Sequence, residues 1–339
     1  MDDIRTNRKW TDAEGDENGP RMCTVGHAAV DHCFDIIEFP EHPTKTPAQR
    51  YRMISGGMAA NASIAAARLG ARVRLHGAVG EDEAGAFLEG RLQGNGVDCH
   101  GLQRVPGASS SISAVVIDAH GERQIFNSRG NALANAGPID TRGFAGADVV
   151  MVDPRWMRGA TEALHWARAN GVLSVLDGDL SPQDDLRALS RLADWSVFSE
   201  SGLAAFAPGL SIGDALRFAL QAGTEVAVVT LGQRGVHWLR RSESGKTPGP
   251  TLRDAVDETP SHALDPTHFL PAFRIQAVDT NGAGDVFHAA LAVALAEGQD
   301  DLPAIRFASA AAAIKCQRNG GVANGPDRAE LAAFLAAQA

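Results

Sequence analysis

Paired cysteines are missing from this chain. The four cysteines, Cys23, Cys33, Cys99 and Cys316, are scattered with no C-x-x-C spacing, so they read as reduced core or surface thiols and suggest no zinc site. His27, His32 and Cys33 lie close together, but nothing completes a ligand set, and local packing is the simpler reading. An excess of positive charge is also lacking. The formal net charge of −10 and a pI of about 5.5 argue against nucleic acid or an anionic membrane as the main partner, while leaving room for a local basic pocket. No apolar run approaches the length that crosses a bilayer. The first residues, MDDIRTNRKWTDAEGDENGP, are polar and acidic rather than basic then apolar, unlike a targeting segment. The expectation is a cytoplasmic protein with no membrane contact and a disordered tail over residues 1–20.

The hydrophobic content of 44% over 339 residues supplies a core for one large α/β domain or two ordinary ones. Short β-rich runs alternate with helical patterns, the signature of a parallel sheet covered by helices. Strands are expected at 22–26, 73–79, 148–152, 172–177, 195–198 and 225–230. Helices are expected at 58–69, 83–93, 159–169, 212–222, 285–297 and 302–317. Two regions, near 32–56 and 99–128, read instead as short strands with turns, a small sheet or lid inserted at one edge of a single domain spanning 21–335. The stretch 242–268 is rich in Pro, Ser, Thr and charge and reads as an exposed loop. Its Gly245-Lys246-Thr247 imitates the end of a P-loop, but Arg240 stands where the earlier glycine is required and Pro248 where a helix should start, so it is a decoy.

The chemistry concentrates in 279-DTNGAGDVF-287. An apolar helical run follows and stops at Gly298, which places Asp285 in a first helical turn. Unpaired N–H groups and the positive end of the dipole lie there, and Gly282 and Gly284 let an anion approach the backbone. Asp285 could take a proton from an attacking hydroxyl while those N–H groups stabilise charge on a transferred phosphoryl group. Alone, the motif is better read as a helix-start aspartate after an ordinary turn. Three further Gly-rich segments, 56-GGMAANASIAAARLGA-71, 77-GAVGEDEAG-85 and 230-TLGQRG-235, imply a ligand held between two ends of one sheet.

With both signatures present, the early GG…N…A…LG…G…VG.D..G and the late DT.GAGD, residues 21–330 resemble the ribokinase-like, or PfkB, family of sugar kinases. The resemblance implies a three-layer α/β/α ribokinase-like fold with a mostly parallel central sheet and a small β-sheet lid. It further implies ATP as donor, Mg²⁺ and a sugar hydroxyl as acceptor. Asp285 would be the catalytic base, with Gly282, Ala283 and Gly284 as the anion hole. Asp31, in 26-GHAAVD-31, with Gly56, Gly57 and Asn61, would contact sugar hydroxyls, against plainer readings as a strand-end acid, turn glycines and a helix-start amide. Thr230, Gly232 and Gly235 would lie along the ATP phosphates. Where many members carry N-x-x-E, this chain reads 199-SESG-202, so Glu200 would reach Mg²⁺ through water. A monovalent cation that orders the loop before Asp285 is a further expectation, as is a homodimer formed through the lid sheet.

The segments 148-DVVMVDPRWMRGA-160, 172-VLSVLDGDLSPQD-184 and 197-VFSESGL-203 closely resemble the 6-deoxy-6-sulfofructose kinase branch of that family. In that branch an Arg, a Lys and an Asn bind the sulfonate, and the matching residues here are Arg155, Lys45 and Asn127. One guanidinium fork, one ammonium and one neutral amide donor suit a permanent monoanion with three acceptor oxygens. A phosphate monoester carries more charge and would be expected to call for more cations. Each residue also has a duller reading: a surface ion pair, a solvated loop lysine, a strand-end amide. The reaction expected is phosphorylation of the 1-hydroxyl of 6-deoxy-6-sulfofructose. The alternatives are another sugar kinase, acting on fructose 6-phosphate or an uncharged ketose, and a non-catalytic sugar- or nucleotide-binding regulator.

Overall fold

A strand covered on both faces carries apolar residues without polar alternation, and β1 (Arg21–Val25) does so. Met22 packs into one layer and Cys23 and Val25 into the other. The computed structural model describes residues 18–120, 122–241 and 267–338. After β1 come β2 (Ala29–Asp35), β3 (Arg50–Gly56), α1 (Met58–Arg68), β4 (Arg72–Gly80), α2 (Glu83–Gln93), β5 (Val97–Val105), β6 (Ser111–Ile117), β7 (Arg123–Ser128) and the short α3 (Ala132–Asn135). The α/β alternation then runs through β8 (Val149–Val152), α4 (Met157–Asn170), β9 (Leu173–Gly178), α5 (Gln183–Ser190), β10 (Trp195–Ser199), α6 (Glu200–Phe206), α7 (Ile212–Ala222) and β11 (Val226–Thr230). It ends with β12 (Val236–Arg240), β13 (His268–Leu270), α8 (Ala283–Ala296), α9 (Asp301–Cys316) and α10 (Arg328–Ala337).

Among the described residues the main sheet has the order β13-β12-β11-β10-β9-β8-β1-β4-β5. It is parallel from β5 to β11, and β12 and β13 close one edge antiparallel. Ala and Leu of α1, α8 and α9 cover one face, and α4 to α7 cover the other. Helix α8 is buried from Val286 to Ala294, as a helix apolar on all sides must be. The result is the expected α/β/α sandwich with a mostly parallel sheet.

The small sheet has the order β3-β2-β6-β7, antiparallel except for the parallel pair β2 and β6. Two sequence expectations shift. Residues 99–105, placed with the small sheet, belong to β5 at the edge of the main one. His268, read as the end of a loop, begins β13. Residues 1–17 of the expected disordered tail and 242–266 of the expected loop, including the P-loop decoy, lie outside the described residues. The four cysteines are free. Among the described residues no helix is long and apolar enough to cross a membrane.

Candidate active site

In an open parallel sheet, ligands bind beyond the carboxyl ends of the strands, and the chemistry-bearing residues collect there. Asp285 stands in the first turn of α8, whose N-cap is Gly282 with φ 76°. Only glycine adopts that backbone without strain. A Cβ at 282 would also fall 2.5 Å from Val322 Cγ1, whereas one at Gly284 would meet nothing within 4 Å. The helix N-terminus therefore faces open space at Gly284, as an anion cradle requires. Asn61 Nδ2 donates to Asp285 Oδ2 at 2.7 Å.

The Asp285 carboxyl is held well above the usual carboxylate range. Burial is the first cause and the charge of Asp177 the second, with the Asn61 hydrogen bond opposing them. Asp177, near the end of β9, is raised in the same sense by burial, then by Asp179 and Asp153. Two neighbouring carboxyls cannot both ionise at ordinary cost.

The residues expected on the sugar side meet around the start of α1. Gly57, with φ 89°, caps this helix; a Cβ there would lie 2.5 Å from His27 O, and one at Gly56 would lie 2.2 Å from Asp31 Oδ2. Asp31 on β2 stands opposite Ser113 on β6, which in turn stands opposite Asn127 on β7. The three share one face of the small sheet. Burial raises the Asp31 carboxyl, and a hydrogen bond with Ser113 partly offsets this. Asn127 is itself committed to Ser113 Oγ at 3.1 Å and Ile112 O at 3.2 Å. That face turns toward the loop before α8, for Arg123 on β7 reaches Thr280 Oγ1 at 3.5 Å.

The sulfonate trio is assembled less fully. Arg155 follows β8 and lies at the site, but its Nη1 donates to Leu180 O and Ser181 Oγ, each at 2.9 Å. Its Nη2 pairs with Asp179 Oδ2 at 3.2 Å. Lys45 is exposed on the connection between β2 and β3. On the nucleotide side, Thr230 ends β11, and Gly232 (φ 57°) and Gly235 (φ 93°) shape the turn that follows. Glu200, in the first turn of α6, forms an exposed ion pair with Arg234 of that turn. Among the described residues no group of three or more His, Cys, Asp or Glu side chains could hold a metal ion.

Four residues were not singled out for the site by sequence. Asp153 is buried and accepts from His27 N (2.8 Å), Ala59 N (3.1 Å) and Arg155 N (2.8 Å), so it pins the ends of β1 and β8 to the start of α1. His288 is buried between Gly284 O at 2.7 Å, Val197 O at 3.0 Å and Asp177 Oδ1 at 3.4 Å. It fastens the first turn of α8 to β9 and β10. Asp177 lies beside Asp285, as above. His27 is held neutral, its pKa lowered to about 4 by burial and then by Arg155 and Arg129. Among the described residues its Nε2 is buried without a partner, and so is Asn61 Oδ1. Buried polar atoms left unpaired at a site mark where a ligand's polar groups belong. The signal for His27 lay in the same GHAAVD segment that pointed to Asp31.

Comparison with known proteins agrees with this geometry. The family model for pfkB family carbohydrate kinases matches residues 21–260 and 262–328. The chain is similar to a ribokinase of Bacillus subtilis (strain 168), 26% identical over 328 residues that cover 93% of this chain and 99% of that protein. It is also similar to fructokinase-1 of Zea mays, 26% identical over 303 residues, covering 81% of this chain and 86% of that one. A crystal structure from Agrobacterium tumefaciens, provisionally described as a ribokinase, superposes with a TM-score of 0.83 at 32% identity, covering 95% of this chain and 99% of that one.

Proposed function

Since the chain belongs to the pfkB family of carbohydrate kinases, enzymes that transfer a phosphoryl group from ATP, we propose that its acceptor is the 1-hydroxyl of 6-deoxy-6-sulfofructose. The product is then 6-deoxy-6-sulfofructose 1-phosphate. One observation carries the sugar-kinase part of this reading. A carboxyl of raised proton affinity, Asp285, stands at a helix N-terminus that opens on free space, hydrogen-bonded to Asn61, whose buried Oδ1 has no partner among the described residues.

The roles follow from position. Asp285 accepts the proton of the attacking hydroxyl. The N–H groups of Gly282, Ala283 and Gly284 face the transferred charge and stabilise it as an oxyanion hole does. Asp31, Asn61 and the backbone at Gly56 and Gly57 hold the sugar hydroxyls and align the attack. Thr230, Gly232 and Gly235 lie along the nucleotide phosphates. Glu200 would reach, through water, a Mg²⁺ held by those phosphates, which would supply neutralisation of charge between donor and acceptor. The small sheet serves as the lid that excludes water, and two such sheets pack together in a homodimer.

The sulfonate assignment rests on Arg155, Lys45 and Asn127 and on the resemblance of the segments around 148–203. Arg155 is the anchor of the three because it already lies at the site. A rival reading has its own observation: the donors of Arg155 are engaged by Leu180, Ser181 and Asp179, which suits a sugar without an anionic group. ADP release from ATP and Mg²⁺, measured side by side with 6-deoxy-6-sulfofructose, fructose 6-phosphate and fructose, decides between them. The proposal expects the sulfosugar to lead in kcat/KM by about a hundredfold or more, and Arg155→Ala to remove most of that lead. A lead by fructose that survives Arg155→Ala would overturn the sulfonate subsite and leave Asp285 in place.

A further inference from the structure

Where a monovalent cation is expected to order the loop before α8, the structure holds the ammonium group of a buried lysine. Lys315, in the last turn of α9, is wholly buried. Its Nζ donates to Asp279 O at 2.8 Å and pairs with Asp279 Oδ2 at 3.1 Å. The other oxygen of that carboxylate, Oδ1, accepts from Asn281 N at 2.8 Å. Val278 N and Asp279 N both donate to Cys316 O, at 2.7 and 3.1 Å. The segment 278–281 is thereby tied to the carboxyl end of α9, one residue before the Gly282 cap.

A carbonyl and a carboxylate oxygen converging on one buried point form the kind of site that takes a dehydrated potassium ion. An ammonium group offers the same charge and a similar radius. The negative end of the α9 dipole favours a cation there; burial lowers the Lys315 pKa, and the charge and hydrogen bond of the Asp279 carboxylate oppose that shift. A second cation drawn to the same oxygens would meet the repulsion of the first in a low dielectric. We propose that Lys315 is a built-in cation that replaces an exchangeable one, a positioning residue that holds residues 278–282 so that the anion cradle and Asp285 are set without potassium or sodium. The proposal rests on the kinase reading of the site and deepens it.

The test compares KCl, NaCl and choline chloride at one ionic strength, using thermal melts without sugar and turnover with whichever sugar the enzyme accepts. The wild-type protein is expected to show the same Tm and, within about twofold, the same kcat in all three salts. Potassium activation of about tenfold or more over choline would overturn the proposal. Lys315→Ala is expected to lose about tenfold or more in kcat in choline chloride and to recover much of it, together with Tm, when potassium or ammonium replaces choline. Wild-type kcat and Tm retained by the variant in choline would overturn the proposal, as would a loss that neither ion restores. If Lys315→Ala does not fold, the salt series on the wild-type protein decides alone. Because the melts need no sugar, a wrong substrate and a wrong cation site give different results.

Discussion

Asp285 must be ionised to accept a proton, and its surroundings oppose that. Burial and the charge of Asp177 both raise its pKa, so the acid limb of kcat/KM should lie above the ordinary carboxylate value of about 4. Asp177→Asn removes the neighbouring charge, which makes Asp285 easier to ionise and should move that limb to lower pH. Asp285→Asn, lacking the base, should lose most turnover across the pH range while sugar binding, measured by calorimetry, stays largely intact. A limb that stays put or rises in Asp177→Asn would show that the two carboxyls do not share a titration. Asp285, Gly57 and Asn61 were legible in sequence because each stands in a short contiguous pattern. Asp177 and His288 were not: their meaning lies in facing each other, and neither neighbourhood in the chain announces a partner.

The elements place these residues, and two glycines separate shape from chemistry. At Gly57 both the positive φ and the approach of a Cβ to His27 O and Ala28 Cα, at 2.5 and 2.7 Å, are set by backbone. No side-chain rotation relieves them. Gly57→Ala should cost about 2 to 4 kcal/mol and lower Tm by roughly 3 to 6 °C. Gly284 is helical and open above, so Gly284→Ala should keep or slightly raise Tm while losing activity, since its methyl enters the space assigned to the phosphoryl group. Calorimetric melts set beside kcat test the pair, and a Gly284→Ala variant of full activity would sink the cradle. Most helices and inner strands were readable from their periodicity. Strand β5 was not, because an edge strand that is buried from Val97 to Cys99 and partly or fully exposed from His100 to Val105 mixes polar and apolar residues much as the small sheet does. Strand β13 escaped because its partner β12 is far away in the chain, with no short turn between them to signal the pair; β12 escaped because the glycines of 230-TLGQRG-235 were read as a phosphate contact and not as the turn joining it to β11.

The small sheet has two faces of opposite character, and the proposed dimer rests on the outer one. Register puts Asp31, Ser113 and Asn127 on the face toward the site. The other face carries Met53, His32, Ala114 and Phe126 in one row, Tyr51, Phe34 and Val116 in a second, and Val30 and Ile112 in a third. Tyr51, Phe126, Met53 and Ile112 are 52%, 59%, 40% and 40% exposed, which makes this an apolar patch on a sheet with two open edges. Soluble monomers rarely leave such a patch uncovered. A two-fold pairing in which each small sheet covers the other would bury both patches, since an isologous contact repeats the same surface on each side. It would also brace each lid over its own site, coupling assembly to turnover. Light scattering should therefore find a dimer at micromolar concentration, and Phe126→Glu, a charge at the β7 edge of the patch on its most exposed side chain, should yield a folded monomer with a raised KM for the sugar. A wild-type monomer, or a Phe126→Glu dimer, would remove the small sheet from the interface without touching the assignment of Asp285.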